Sequence, residues 1–103
     1  MSVLSVYVPC PDSEAARAIA AELLERHLIA CANIGAPMLS IYRWDGAVQE
    51  DSEVPLLLKT DPACRNDLET ALLELHPYEL PAILYALDDA NSGFVEWVWA
   101  ETR

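Results

Sequence analysis

The chain has 103 residues, 53% of them hydrophobic, and its 17 acidic and 6 basic residues give a formal net charge of −11. This length fits one domain with a proper core, and the acidic excess argues against nucleic acid or an anionic membrane as a partner. The first residues lack the basic and apolar regions of a signal peptide, and no apolar run approaches the roughly 18 residues of a membrane span. We therefore expect a cytoplasmic protein whose three cysteines, which lack paired spacing, remain reduced.

The chain begins with a predicted strand, helix and second strand. Val3 to Val8 is a β-branched and aromatic run, and the prolines on both sides of Cys10 place that thiol in a loop at the end of the strand. Asp12 can cap the following helix, in which apolar residues recur at helical spacing until the helix ends near His27. The second strand is predicted from Ile29 to Ile34.

A long β-hairpin is the most prominent predicted element. Residues 38–44 form its first arm, and Asp45-Gly46 supplies a two-residue type I′ turn, in which both residues must accept a positive φ. The chain returns through residues 47–49 and continues as a strand from 53 to 60. Three alternate side chains of the first arm share one face: Ser40, Tyr42 and Trp44. Arms this long extend past a domain of this size, and a neighbouring subunit is the simplest surface for them to lie on.

The second half of the chain predicts a helix, a strand and a terminal helix. Asp61-Pro62 is an N-cap followed by proline at the first helical position, and the apolar stripe of this helix includes Cys64, which we expect in the core. His76-Pro77 ends the helix. A buried strand is expected from Ala82 to Leu87, with a turn at residues 88–91 and a last helix from Ser92 to Thr102.

This βαββαβ order predicts an α+β fold of one domain spanning residues 1–103. Two split βαβ units joined by a hairpin give a ferredoxin-like antiparallel sheet with both main helices on one face. The right-handed crossover rule leaves few alternatives.

Several motifs together resemble the CutA family of divalent-cation tolerance proteins. They are Leu28–Ile34, Ser40–Gly46, Leu57–Thr60, His76–Pro81 and Phe94–Trp97. The resemblance covers essentially the whole chain. It implies a homotrimer joined through the long hairpin strands, similar in shape to PII signalling proteins, with a role in metal tolerance, copper binding and no enzymatic activity. The chain departs from the family where Gly35-Ala36-Pro37 replaces the usual Pro-Gly and where Ala82 replaces an acidic residue.

Thiol and imidazole groups are the candidate metal ligands, and soft thiolate favours Cu(I). Cys64 is expected in the core, and His27 is an exposed histidine at a helix end. In the predicted fold, Cys10 and His76 emerge at one end of the sheet, while Cys31 lies about 20 Å away at the other end. The predicted metal pair is Cys10 with His76, which matches the positions that the family associates with copper. The alternative is a loop thiol and a histidine satisfied by hydrogen bonds.

A second hypothesis is a PII-like sensor or scaffold that binds a small ligand or a protein partner at clefts between subunits. The polar and aromatic groups expected there are Tyr42, Trp44, Lys59, His76, Tyr78 and Glu79. The three glycines are isolated, so no phosphate-binding loop is present and nucleotide is disfavoured as the ligand. Tyr42 and Trp44 could instead pack together on the hairpin face. No motif of a hydrolase or metalloprotease is found, and we expect no enzyme.

Overall fold

The computed structural model describes all 103 residues as five strands, three α-helices and one short 3₁₀ turn. The strands are β1 (Ser2–Cys10), β2 (Cys31–Ile34), β3 (Met38–Trp44), β4 (Ala47–Thr60) and β5 (Leu84–Asp89). The helices are α1 (Ser13–Glu25), α2 (Arg65–Leu75) and α3 (Ser92–Thr102), and the 3₁₀ turn is Pro62–Cys64. None of the helices has the length and apolar character needed to cross a membrane.

The sheet is antiparallel and its strand order is β2-β4-β1-β5. Alternate residues of β1 and β4 point to one face, where they join side chains of α1 and α2 in a core of 15 buried residues. A smaller cluster lies under α3 and contains Val3, Ala30, Val95 and Val98. The predicted ferredoxin-like α+β fold is confirmed.

The hairpin is longer and more regular than the sequence predicted. β4 runs without interruption from Ala47 to Thr60, whereas residues 47–49 and 53–60 were expected as separate segments. Its first half pairs only with β3, so a two-stranded ribbon projects beyond the four-stranded sheet and helps to stretch the molecule to 45 × 24 × 23 Å. Asp45 and Gly46 have φ values of 51° and 79°, which confirms the predicted type I′ turn.

The loop position predicted for Cys10 is wrong. β1 extends to Cys10, which pairs with Val54 and is fully buried in the main core. β1 tolerates Pro9 because of the residue opposite it, Pro55 of β4. The Pro55 carbonyl points away from β1 and accepts a hydrogen bond from the Gly35 amide. This pair is therefore a non-hydrogen-bonded position of the ladder, where a missing amide hydrogen loses nothing.

The predicted buried strand over residues 82–87 is shifted and exposed. β5 instead begins at Leu84 and continues to Asp89, because β1 starts at Ser2 and offers partners along that whole length. Two aspartates therefore extend the strand where a turn was expected. β5 is an edge strand and most of its side chains are exposed, so polar residues are tolerated there.

Two further boundaries differ from the prediction. β2 starts at Cys31 rather than Ile29. Cys64 belongs to the 3₁₀ turn that Pro62 begins, so it precedes α2 and is half-buried instead of lying on the buried stripe of the helix. Its thiol lies 3.9 Å from the Thr102 carbonyl oxygen at the end of α3.

Candidate functional site

The main concave site is a cleft of about 720 Å³ between the hairpin ribbon and the loop that follows α2. The end of β1 forms its base through Pro9 and Pro11. The aromatic and acidic side chains that line it are Tyr42, Trp44, Asp51, Glu53, Tyr78 and Glu79. Four of the six side chains predicted for a ligand cleft are therefore brought together within one protomer.

The hairpin supplies one wall of the cleft through a single face of its two strands. Ser40, Tyr42 and Trp44 all line the cleft, which confirms that they share a face. On β4, Asp51 pairs with Ser40, and Tyr42 reaches diagonally across the strands to donate its hydroxyl hydrogen to the Asp51 carboxylate. That hydrogen bond, with smaller contributions from burial and nearby carboxylates, raises the pKa of Tyr42.

The loop after α2 supplies the opposite wall. The Tyr78 hydroxyl donates to Glu53 Oε2 over 2.7 Å and so joins the loop to the hairpin. Burial and then this hydrogen bond raise the pKa of Tyr78 well above its ordinary value. Both phenols of the cleft therefore stay protonated at neutral pH and donate to carboxylates.

His76 lies directly behind this wall and its ring is fully occupied by hydrogen bonds. Its Nε2 lies 2.9 Å from the Pro9 carbonyl oxygen, and the Tyr78 amide donates to its Nδ1 over 3.1 Å. Because Nδ1 accepts and a carbonyl can only accept, this pattern requires the neutral tautomer with hydrogen on Nε2. The residue is 6% exposed. Neither ring nitrogen offers a free lone pair to a metal in this arrangement.

The Cys10 thiol is a poor metal ligand as it lies here. Its sulfur is buried and lies 3.6 Å from the Val8 carbonyl oxygen. Burial, followed by the negative charges of Glu53 and Asp12, raises the pKa of this thiol from 9.0 to about 11. Thiolate is the form that binds metal. No group of three or more histidine, cysteine, aspartate or glutamate side chains is arranged to hold a metal ion. The arrangement does not fit a preformed copper centre, and the metal pair stays a prediction.

The remaining predicted side chains lie elsewhere in the protomer. Cys31 of β2 and Ser5 of β1 both pair with Lys59 of β4, so they lie at the same height in the sheet. Ser5 is five residues before Cys10 on β1, so Cys31 is displaced from Cys10 by roughly 16 Å along the strand direction. Lys59 itself is six residues along β4 from Glu53, about 20 Å away, and does not line the cleft of its own protomer. His27 is exposed as expected, with its Nδ1 3.0 Å from the Glu101 carbonyl oxygen.

Two carboxylates of the cleft, Asp51 and Glu53, were missed by the sequence analysis. The signal that could have found them is the Asp45-Gly46 turn. Counting outward from a two-residue turn pairs Ser40 with Asp51 and places Glu53 on the same face. The register of a hairpin was therefore enough to add both side chains to the predicted site.

Comparison with known proteins places the chain in a family. The model of the CutA1 divalent ion tolerance protein family matches residues 4–101. The divalent-cation tolerance protein CutA of Pyrococcus horikoshii is 38% identical over 102 residues, which cover 98% of this chain and 99% of that protein. The crystal structure of the divalent ion tolerance protein CutA1 from Ehrlichia chaffeensis is similar, with 33% identity, a TM-score of 0.94 and coverage of 98% and 95% of the two chains.

A third similar structure, from Archaeoglobus fulgidus, is described as the periplasmic divalent cation tolerance protein CutA. It is 26% identical, has a TM-score of 0.93 and covers 98% of this chain and 99% of its own. The chain thus belongs to the CutA1 divalent ion tolerance family, whose members are tolerance proteins rather than enzymes, as the sequence analysis expects.

Proposed function

We propose that the chain is a homotrimeric divalent-cation tolerance protein that acts by binding, with the cleft between the hairpin and the loop after α2 as its binding site. The observation that carries this proposal is the projecting ribbon of β3 and β4. On the face that points away from the cleft, Leu39, Ile41 and Val48 are 66%, 62% and 62% exposed.

A ribbon of this kind needs a second surface. A two-stranded hairpin alone is marginally stable in water, and β3 pairs on one side only, which leaves a free edge with exposed apolar side chains. A neighbouring copy that covers this edge would stabilise the hairpin and remove its exposed apolar side chains from water. The number of copies, three, follows from the resemblance to the family, and the PII-like shape that it implies sets the cleft near a subunit boundary.

The test is the mass of the protein in solution by light scattering, for the wild type and for Ile41→Ser. Ile41 is on the far face of β3 from the cleft, so its replacement leaves the cleft lining intact. We expect a trimer for the wild type, and partial or complete dissociation with a lower melting temperature for the variant. Leu73→Ser is the matched control, because Leu73 is a similarly exposed leucine on α2, away from the ribbon. A wild type that is a stable folded monomer at micromolar concentration would exclude the proposal.

Copper binding by Cys10 and His76 is the second candidate. It is favoured by their proximity, since the His76 imidazole bonds the carbonyl of Pro9, the residue next to Cys10. Binding would require the thiol to lose its proton and the imidazole to give up one hydrogen bond, so we expect weak affinity. Anaerobic titration of the reduced protein with Cu(I) tests this. Binding that is lost in Cys10→Ala and His76→Gln but retained in Cys64→Ala supports the pair, and no binding by the wild type excludes it.

We also propose that the protein is cytoplasmic, because its three cysteines are all free and form no disulfide, as is usual for proteins of a reducing compartment. The relative from Archaeoglobus fulgidus is described as periplasmic, so the compartment needs a direct test. Cell fractionation with cytoplasmic and periplasmic markers provides it, and recovery of the protein with the periplasmic marker would contradict the proposal.

A further inference from the structure

The cleft combines aromatic walls with acidic groups and contains no basic side chain. Asp51, Glu53 and Glu79 line it, while no lysine, arginine or histidine does. The side-chain ion pairs of the protomer involve Arg26 and Arg103 and none of these three carboxylates. A ligand that enters the cleft therefore meets negative charge that the protomer has not neutralised.

The aromatic walls favour the same sign of charge in the ligand. Tyr42, Trp44 and Tyr78 face the cleft from both sides, and an aromatic ring attracts an organic cation placed over its face. Proline side chains at the base, including Pro9 and Pro11, add apolar surface that suits the carbon skeleton of such a cation. The volume of about 720 Å³ lies in the range of small-molecule sites.

Hydrogen bonding inside the cleft disfavours the opposite kind of ligand. The hydroxyl hydrogens of Tyr42 and Tyr78 are already donated to Asp51 and Glu53. Because each hydroxyl has one hydrogen and that hydrogen is already in use, neither phenol adds a free donor for an anion. The second oxygen of each carboxylate is left as an acceptor. The cleft thus offers acceptors and negative charge, which suit a ligand with N–H donors and a positive charge.

We propose that this cleft binds a small organic ammonium ion with an apolar carbon chain. The inference rests on the proposed function, in which the cleft is the binding site, and it names the chemical class of the ligand. The ammonium group lies among the carboxylates of Asp51, Glu53 and Glu79, and the carbon chain packs against the rings of Tyr42 and Trp44.

The experiment is isothermal titration of the intact protein with 1,4-diaminobutane at low ionic strength. The uncharged analogue 1,4-butanediol is the matched ligand control. We expect the diamine to bind and the diol to produce no heat of binding. Glu53→Gln retains an acceptor for the Tyr78 hydroxyl while it removes the charge. We expect it to weaken diamine binding about two- to fivefold, the effect of losing one partly exposed ion pair. Trp44→Ala should weaken it to a similar extent.

Glu69→Gln controls for overall charge. Glu69 accepts the Tyr85 hydroxyl on another part of the surface, so its variant loses the same charge and should bind the diamine as the wild type does. Equal weakening in the Glu53 and Glu69 variants would show that only net charge matters and would overturn the inference. So would a wild type that ignores the diamine, the result expected if a basic side chain of a neighbouring copy fills the cleft. Light scattering on the same samples separates the two proposals, because a trimer without diamine binding contradicts only this inference.

Discussion

The buried Cys10 thiol predicts a loss of stability in alkaline solution. Burial, assisted by the charges of Glu53 and Asp12, raises its pKa from 9.0 to about 11 in the folded chain. Between those two values the unfolded chain has released a proton that the folded chain still holds. The free energy of unfolding therefore falls as pH rises, by about 1.4 kcal/mol per pH unit for this one group. The contribution is present below pH 9, and about 2.3 kcal/mol of it is lost by pH 11, where the folded-state thiol is half ionised. The remaining few tenths of a kcal/mol are lost above that pH.

Urea unfolding of the reduced protein at several pH values from 8 to 11 measures this effect, with protomer concentration held fixed because assembly contributes to stability. Cys10→Ala removes the thiol, so the stability difference between wild type and variant should shrink by about 2.2 kcal/mol over that interval. The raised pKa values of Tyr42 and Tyr85 have no contribution from Cys10, so their effects above pH 10 occur in both proteins and cancel in the difference. The raised pKa of Tyr78 depends in small part on Cys10, and this part lowers the stability of the wild type in the same direction. Cys64→Ala retains the Cys10 thiol and should keep the wild-type dependence. Parallel curves for wild type and Cys10→Ala would refute the reasoning.

Two further predictions concern packing. A side chain at Gly35 would place its Cβ 2.6 Å from Pro55 Cγ, so Gly35→Ala should lower the free energy of unfolding, measured in urea, by about 1–3 kcal/mol. A side chain at Gly93 meets only ordinary contacts, so Gly93→Ala should leave this free energy unchanged or raise it. The side chain of Leu68 on α2 is fully buried, so Leu68→Ala should reduce the free energy of unfolding by about 2–5 kcal/mol. Leu73 on the same helix is 55% exposed, so Leu73→Ala should change this free energy by less than about 1 kcal/mol. Similar losses for the two leucines would contradict the assigned faces of α2.

The sequence was most informative where local chemistry decides the structure. The Asp45-Gly46 turn and the alternation of Tyr42 and Trp44 specify the hairpin and its cleft face, since both depend on residues close together in the chain. The predictions were wrong where the conformation of a segment depends on a strand that is distant in the sequence. Asp88 and Asp89 look like a turn, but β1 extends far enough to hold them in a strand.

The position of Cys64 was mispredicted for a different reason. Its spacing from the apolar residues of α2 fits a helical stripe, but the chain turns through a 3₁₀ segment before the helix starts. A 3₁₀ turn advances with three residues per turn rather than 3.6, so the face of a residue placed in it is displaced. Periodicity alone does not distinguish the two conformations at a helix end.

His76 connects the two binding proposals through a single set of hydrogen bonds. Its Nε2–H donates to the Pro9 carbonyl, and its Nδ1 accepts from the Tyr78 amide. The Tyr78 hydroxyl in turn donates to Glu53 in the cleft wall. A metal bound to either ring nitrogen would displace one of these partners, either the end of β1 or the residue that forms the wall. Metal binding at His76 would therefore disrupt the cleft. Because the metal and the cleft ligand require different arrangements of His76, each should weaken the binding of the other by the same factor. In the arrangement observed here, the histidine shapes the cleft and is not free to bind metal.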